Sequence, residues 1–189
     1  MTKMKYAFFF ILLYGINHKT FSQWNNLSIN STQFLYGAYF LNNDTGFVFG
    51  DGVVFKTNDG GMNWSSPAIA ISSQFTSMNF INDSIGFLVG DAVTVLKTTD
   101  GGNNWFIQNS PIQLLYSIDF GNSLNGIAVG DEATIIKTID GGQYWVQIQA
   151  PYLFGDSLFH YELRTVQFIN DSVAYAGGGA FVWFYWHFN

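Results

Sequence analysis

Short runs of alternating apolar and polar residues cover most of the chain from residue 34 onward, and most runs end at glycine, asparagine or aspartate. The run TSMNFIN (76–82) alternates with a period of two, which is typical of a strand with one buried face. The run FLVG (87–90) is wholly apolar, as expected of a strand buried on both faces. Beyond residue 22, no segment carries a convincing helical period. The pattern therefore predicts an all-β chain of short antiparallel strands.

This pattern of strands repeats along the chain. The segment FTSMNFINDSIGFLVGDAVTVLKTTDGGNNW (75–105) has close counterparts at 34–64 and 115–145, and a fourth copy begins at 163–180. Each copy contains four predicted strands, and four antiparallel strands in roughly 40 residues form one blade of a β-propeller. We therefore predict a β-propeller of four-stranded blades, with units at approximately 34–74, 75–114, 115–162 and 163–189.

The number of blades depends on the two ends of the repeat. The segment QWNNLSIN (23–30) resembles the last strand of a unit and could close the fourth unit, which has no KTxDGG turn of its own. That arrangement would give a four-bladed propeller. The alternative is an incomplete propeller of about three complete blades plus a partial fourth, because residues 181–189 depart from the repeat.

The sequences TNDGGMNW (57–64), TTDGGNNW (98–105) and TIDGGQYW (138–145) resemble the Asp-box of BNR-repeat propellers. Their wider context, VGDxxxxxKTxDGGxxW, is similar to the photosystem II stability and assembly factor family, and related domains are common in secreted bacterial proteins. The resemblance covers residues 34–180 and implies that each box is a structural hairpin between the third and fourth strands of a blade. Three copies are specific for the fold but say little about function.

The four residue types of each box suit such a hairpin. The aspartate can accept hydrogen bonds from backbone N–H groups of its own turn, and the glycine can adopt a positive φ. The threonine can donate a hydroxyl hydrogen bond within the turn, and the tryptophan can pack between blades. The predicted structural positions are Thr57, Asp59, Gly61, Trp64, Thr98, Asp100, Gly102, Trp105, Thr138, Asp140, Gly142 and Trp145.

Composition excludes several classes of site. Only 11% of the residues are charged and the net charge is −6, so the chain lacks the basic clusters that bind nucleic acid. No cysteine is present, which excludes a disulfide framework and a thiolate metal site. The three histidines have no metal-binding spacing, and no glycine-rich nucleotide motif is found. We therefore expect no metal, no cofactor and no nucleic-acid partner.

The N-terminus has the features of a signal peptide (1–22). Lys3 and Lys5 precede the apolar run AFFFILLYGI (7–16), and small residues lead to a plausible cleavage site ahead of Gln23. The apolar run is too short to span a bilayer. We expect residues 23–189 to form a secreted, periplasmic or cell-surface protein with no membrane span after cleavage.

A catalytic set is not recognisable in the sequence. Sialidases carry Asp-boxes, but they bind the substrate carboxylate with three arginines, and Arg164 is the only arginine here. A xyloglucanase-like glycosidase needs paired carboxylates, and no pair stands out. We therefore predict a non-catalytic module that binds a protein or a glycan. The alternative is a fragment of a larger Asp-box propeller, such as a sialidase- or xyloglucanase-like glycoside hydrolase, that lacks its catalytic residues here.

Two features predict a binding face opposite the boxes. The GD turns place an aspartate at this end of each full unit, and an eight-residue insertion within YLFGDSLFHYE (152–162) combines aromatic and polar side chains that suit a protein or sugar contact. The alternative is that the GD positions are ordinary turns and the insertion is a tolerated surface loop. The candidate residues are Asp51, Asp91, Asp131, Tyr152, Phe154, Asp156, His160, Tyr161 and Glu162.

Overall fold

The computed structural model describes residues 29, 31–69, 71–91, 95–108, 110–111, 114–148 and 162–179, together with the backbone of 183–187. These residues form fifteen strands in four sheets, with one short 3-10 turn at Asp131–Ala133. The expected signal peptide, the expected closing strand except residue 29, and the insertion residues 152–161 lie outside the described residues.

The first two sheets correspond to the first two sequence units. In each, the chain runs back and forth between neighbouring antiparallel strands. The outer edge of the second sheet also receives a short parallel strand from the connection between the units. The first sheet contains β1 (Leu35–Phe40), β2 (Gly46–Gly50) and β3 (Val54–Thr57); the second contains β4 (Ala68–Ile69), β5 (Phe75–Phe80), β6 (Gly86–Gly90), β7 (Val95–Thr98) and β8 (Asn104–Ile107).

The third and fourth sheets repeat this antiparallel order. Only the third of the two has a described fourth strand. The third sheet contains β9 (Leu115–Phe120), β10 (Gly126–Gly130), β11 (Ile135–Thr138) and β12 (Val146–Ile148). The fourth contains β13 (Leu163–Asn170), β14 (Val173–Gly178) and β15 (Trp183–His187).

The four sheets are blades stacked side by side, each against its neighbour in sequence. The first strands β1, β5, β9 and β13 pack on one another in turn, which makes them the inner strands of a propeller arc. Buried apolar clusters fill the spaces between blades, with Phe47, Phe87 and Ile127 contributed by successive second strands. The predicted all-β propeller with a partial fourth blade is confirmed.

Two strands differ from the sequence pattern. In the first blade the outer strand is reduced to a single bridge between Lys56 and Ser65. In the fourth blade, β15 pairs with β14 from Val173 to Gly177 although its sequence departs from the repeat. Strand pairing depends on backbone N–H and C=O groups, so an aromatic-rich segment can take the third position without the repeat's side chains.

Candidate binding face

The TxDGG turns lie at one end of the blades, and each is held by hydrogen bonds among its own residues. In the second blade the Thr98 hydroxyl donates to Asp100 Oδ1 at 2.8 Å and accepts the Gly102 N–H at 2.9 Å. Asp100 Oδ1 also accepts the backbone N–H groups of Asn103 and Asn104, both at 3.0 Å. The threonine and aspartate therefore supply hydrogen-bond partners for a turn whose backbone cannot pair within a sheet.

The first and third blades repeat this arrangement. Thr57 donates to Asp59, and Thr138 donates to Asp140, at 2.8 Å in both turns. Hydrogen bonds from the side chain and backbone of Asn104 hold the pKa of Asp100 at about 2. Similar hydrogen bonds, from Asn63 above all, lower the pKa of Asp59. Desolvation opposes the lowering of the Asp140 pKa, but hydrogen bonds within its turn and the charge of Lys97 outweigh it. All three carboxylates are thus stabilised as anions, chiefly by their own turns.

The second glycine of the turn is required by two independent constraints. Gly102 and Gly142 have φ angles of +82° and +76°, which L side chains rarely adopt. A Cβ atom at Gly102 would also lie 2.5 Å from the ring of Phe47 in the first blade. At Gly142 the corresponding distance to Phe87 of the second blade is 2.3 Å. The turn therefore presses its backbone against the preceding blade.

The tryptophans that follow these turns do not all have the same environment. Trp105 is 2% exposed and packs edge-on against Phe47 and Phe80. Trp145 packs in the same way against Phe87 and Phe120. Trp64, which has no preceding blade among the described residues, is partly exposed and donates its indole N–H to the Gly61 carbonyl at 3.0 Å. The residues of this end therefore hold turns and blades together.

The GD turns lie at the opposite end and connect the second and third strands. Each aspartate donates its backbone N–H to a carbonyl just before the inner strand of its own blade: Asp51 to Phe34, Asp91 to Gln74 and Asp131 to Leu114, at 2.9 to 3.0 Å. The contact is close, since a Cβ atom at Gly90 would lie 1.8 Å from the Gln74 carbonyl oxygen. In the fourth blade Gly179 makes the same bond to Glu162 at 3.0 Å, so this blade has no aspartate there.

Two of the three GD aspartates share a cleft. Asp51 and Asp91 line a cavity of about 380 Å³ between the first and second blades, at the end opposite the TxDGG turns. Four amide or hydroxyl side chains also line it, and one of them, Ser73, donates its hydroxyl to the Asp91 carbonyl at 2.7 Å. The other lining residues are Gln33, Gly52, Val53, Ser72, Ser73 and Gln74.

Asp131 belongs to a different group of side chains, between the third and fourth blades. The Arg164 guanidinium lies 4.3 Å from the centre of the Tyr116 ring and forms an ion pair with Glu162. Burial, followed by the charges of Glu162 and Asp131, raises the pKa of Tyr116. Among the described candidate residues, the structure therefore places Asp51 with Asp91 and Asp131 with Glu162.

Several residues of this end were missed by the sequence reasoning. Tyr36 is half exposed and accepts a 3.4 Å hydrogen bond from the Gln74 amide. Partial desolvation and a hydrogen bond to Asp51 raise the pKa of Tyr36. Tyr36, Tyr116 and Arg164 are each the second residue of an inner strand, two positions after the carbonyl that accepts the N–H of the turn between the second and third strands. Because this position of the repeat lies at the edge of the GD face, it could have identified these residues from the sequence.

A second cleft, at the TxDGG end, is less suited to a ligand. It measures about 310 Å³ and lies between the second and third blades. Its main polar side chains, Asn82 and Asn122, already accept two backbone N–H groups each from their own turns. These amides therefore serve the turns.

The described residues hold no cluster of three or more histidine, aspartate or glutamate side chains placed to bind a metal ion. Within the same residues, no helix is long and apolar enough to cross a bilayer. The face that remains is acidic and polar, and its carboxylates and amide oxygens can accept hydrogen bonds from ammonium, guanidinium and amide N–H groups.

The family model of the photosynthesis system II assembly factor YCF48 matches residues 16–111, which is half of the chain. The chain belongs to this family. No curated protein sequence matches it significantly.

Solved propeller structures resemble the arc at low sequence identity. YCF48 bound to D1 peptide has a TM-score of 0.62 at 18% identity, over 85% of this chain and 55% of that one. The computationally designed Ika4 protein has a TM-score of 0.69 at 13% identity, over 88% and 100% of the two chains. A GH74 enzyme of Niastella koreensis has a TM-score of 0.61 at 15% identity, over 80% and 28%. The chain thus spans about half the length of the YCF48 structure, and these likenesses concern the fold.

Proposed function

We propose that this member of the YCF48 family is a non-catalytic binding module that holds a peptide segment in the cleft between its first two blades. The observation that carries the proposal is the cleft itself, which gathers Asp51, Asp91 and Gln74 at the end opposite the TxDGG turns. A member of the same fold, YCF48, is described as bound to D1 peptide, which supports a peptide over a glycan as the first ligand to test.

The chemistry of the cleft favours a cationic segment. Two carboxylates line it, and the single arginine of the chain lies at the other side of the face, paired with Glu162. The glutamine and serine side chains can pair with the backbone amides of an extended peptide. A lysine side chain near Asp51 and Asp91 would gain charge-assisted hydrogen bonds, while a glutamate would be repelled.

The binding test compares two acetylated ten-residue peptides, one alternating lysine and glycine and the other alternating glutamate and glycine. We expect calorimetry to detect the lysine peptide only. Because exposed ion pairs contribute about 0.2 to 1 kcal/mol, Asp51→Asn and Asp91→Asn should each weaken binding about 1.4- to 5-fold.

Asp44→Asn is the matched control, since it removes one carboxylate from the opposite end of the first blade. If Asp44→Asn weakened peptide binding equally, the effect would depend on net charge alone, and this would contradict binding in the cleft. If the protein binds xyloglucan oligosaccharides and Asp51→Asn abolishes that binding, the ligand of the cleft is a glycan and not a peptide.

We also propose that the protein is not an enzyme, although it shares its fold with a GH74 enzyme. The carboxyl that stands out chemically is Asp119, whose pKa is raised by burial in the inner strand β9. It accepts the Phe168 N–H at 2.6 Å and the Asn79 amide at 2.8 Å, so it already connects blades. Purified protein should leave xyloglucan intact; hydrolysis that Asp119→Asn removes would overturn this proposal.

Export is proposed from residues 1–22 alone. If the segment is a signal peptide, N-terminal sequencing of the protein from an expressing bacterium should begin at Gln23, and the protein should be recovered outside the cytoplasm. Recovery of the intact N-terminus in the cytoplasmic fraction would contradict export without affecting the peptide proposal.

A further inference from the structure

Three exposed positions at the TxDGG end are polar in the first two blades and apolar in the third. In the third blade they are Leu124, Ile139 and Tyr144, which are 54%, 64% and 68% exposed. Exposed apolar side chains that lie together at positions otherwise held by polar residues indicate a surface that contacts another molecule. Their polar counterparts are Asp44, Asn58 and Asn63 in the first blade and Ser84, Thr99 and Asn104 in the second.

The three apolar positions of the third blade belong to two turns that are bonded to each other. The Leu124 carbonyl accepts the N–H of Gly141 at 3.0 Å, which joins the turn between the first and second strands to the TxDGG turn. Ile139 directly precedes Asp140 in the TxDGG turn, and the Tyr144 backbone N–H donates to Asp140 Oδ1 at 3.1 Å. We call Leu124, Ile139, Tyr144 and Asp140 the third-blade patch.

Tyr144 also changes the hydrogen bonding of the aspartate in this turn. In the first two blades, the asparagine before the tryptophan donates its side-chain amide to Oδ2 of the turn aspartate at 2.8 Å. Tyr144 has no amide, and the bonds that Asp140 receives from Thr138, Gln143 and Tyr144 all reach Oδ1. The Gln143 amide donates to the Asp140 carbonyl instead. In the part of the chain that the structure describes, Asp140 Oδ2 therefore remains available to a donor from another molecule.

A guanidinium group suits a tyrosine ring beside a carboxylate. The chain itself shows the combination at its GD end, where the Arg164 guanidinium lies 4.3 Å from the centre of the Tyr116 ring and pairs with Glu162. Arginine can stack on an aromatic ring while its N–H groups bond to a carboxylate. In the third-blade patch, Tyr144 and Asp140 supply such a ring and such a carboxylate, and the patch adds two aliphatic side chains.

Charge argues against two other occupants of the patch. A second copy related by a two-fold axis would bring two Asp140 carboxylates together, and each chain has a net charge of −6. An anionic membrane surface would be repelled by the same carboxylate. Lys97 offsets part of the Asp140 charge, because its ammonium group lies against the turn and donates to the Gly141 carbonyl at 2.7 Å. Apolar contact must therefore supply much of the affinity.

We propose that the third-blade patch binds a polypeptide segment in which an arginine is flanked by leucine or other aliphatic residues. The guanidinium lies over the Tyr144 ring and donates to Asp140 Oδ2, and the aliphatic side chains pack on Leu124 and Ile139. The site lies at the end opposite the cleft of Asp51 and Asp91 and does not rest on the function proposed for that cleft.

The binding measurement titrates the full chain with a short acetylated glycine–serine peptide that contains one arginine between two leucines. We expect calorimetry to detect this peptide. Citrulline in place of the arginine keeps the shape of the side chain but removes its charge, and should weaken binding about 1.4- to 5-fold. Serine in place of both leucines should weaken it further. No binding of the first peptide, or equal binding when glutamate replaces its arginine, would overturn the proposal.

Tyr144→Asn tests the patch with the residue that the other two turns already contain. The variant should keep its melting temperature, because the asparagine amide can donate to Asp140 Oδ2 as Asn104 does to Asp100. Its affinity for the arginine–leucine peptide should fall about fivefold or more. Leu124→Ser, which introduces the residue of the second blade, should also weaken binding. Unchanged affinity in both folded variants would overturn the proposal.

Met62→Asn is the matched control. Met62 is 83% exposed in the TxDGG turn of the first blade, and the second blade has Asn103 at that position. The substitution removes an apolar side chain from the same end of the molecule and leaves the patch intact, so the affinity should not change. An equal loss in Met62→Asn would mean that the peptide adheres to any exposed apolar residue. Displacement of the peptide by the lysine–glycine peptide would place it in the cleft. Either result would overturn the proposal.

Two further measurements test the other occupants. We expect the protein to stay in the soluble fraction when floated with vesicles of phosphatidylcholine and phosphatidylserine. We also expect light scattering at micromolar concentration to give the same mass for the wild type and Tyr144→Asn. Vesicle binding that Tyr144→Asn removes would assign the patch to a membrane, and a dimer that it dissociates would assign the patch to a second copy. Both outcomes would overturn the proposal.

Discussion

The two ends of the propeller arc use aspartate in opposite ways. At the TxDGG end, Asp100 accepts hydrogen bonds from its own turn, and the threonine and tryptophan beside it are buried. At the GD end, Asp51 and Asp91 hold their turns through backbone N–H groups and leave their carboxylates to line a cleft. The comparison teaches that the same residue type supports a turn through its carboxylate at one end of the blade and through its backbone N–H at the other.

The largest difference between the ends is expected on removing a buried tryptophan. Trp105→Ala should lower the free energy of unfolding by about 3 to 5 kcal/mol, because it leaves a cavity between Phe47 and Phe80. Trp64→Ala is the natural comparison and should cost clearly less, since Trp64 is only partly buried. Urea unfolding followed by circular dichroism measures both. Equal losses would mean that Trp64 is as well packed as Trp105.

A smaller effect is expected from one hydroxyl of the TxDGG turn. Thr98→Val keeps the shape of the side chain but leaves the buried Gly102 N–H without its acceptor, which should cost about 1 to 3 kcal/mol. Thr99→Val is the control, because Thr99 is exposed and the third blade has Ile139 at that position. Unchanged stability of Thr98→Val would show that the turn does not depend on the threonine.

Acid should weaken the TxDGG end selectively. The folded-state pKa of Asp100, at about 2, lies below its usual value of 3.8. Its contribution to stability is therefore present above pH 3.8 and lost as the pH falls through about 2. The pKa of Asp119 is raised by burial, so protonation of Asp119 favours the folded state as the pH falls and acts in the opposite sense. Urea titrations between pH 5 and 2 measure how the free energy of unfolding declines as the pH falls, and Asp100→Asn should make this decline less steep. An unchanged pH dependence would mean that other carboxyl groups cause the decline.

The smallest effect on stability is expected at the GD end. Asp51→Asn should change the free energy of unfolding by less than about 0.5 kcal/mol, because it leaves the backbone bond to Phe34 intact. The same variant should weaken binding of the lysine peptide. A loss of stability as large as that of Thr98→Val would remove the distinction between the two ends.

The sequence predicted the blades well because the repeat encodes local structure three times over. The spacing of Trp64, Trp105 and Trp145, and the glycines of each turn, required no knowledge of neighbours. The third strand of the fourth blade was not foreseen, because Trp183–His187 pairs through its backbone and lacks the side chains of the repeat.

The binding face was less predictable. The GD turns placed three aspartates at one end, but the sequence could not show that Asp51 and Asp91 share a cleft while Asp131 lies with Arg164 and Glu162. Which side chains meet depends on how the inner strands of neighbouring blades are rotated and spaced. Tyr36 was missed for the same reason, since its contact with Gln74 joins residues 38 positions apart.

By itself, the sequence determined the blade: its strands, its TxDGG turn and the tryptophan that packs against the preceding blade, because hydrogen bonds within a turn and alternation along a strand are local. Only the tertiary structure decided which surfaces remain for other molecules. Stacking of the first two blades buries Phe80 and Trp105, whereas Phe40 is half exposed and Trp64 is partly exposed, although the same repeat places them. The burial of a side chain depends on the elements that pack against it, and a local repeat does not specify those elements.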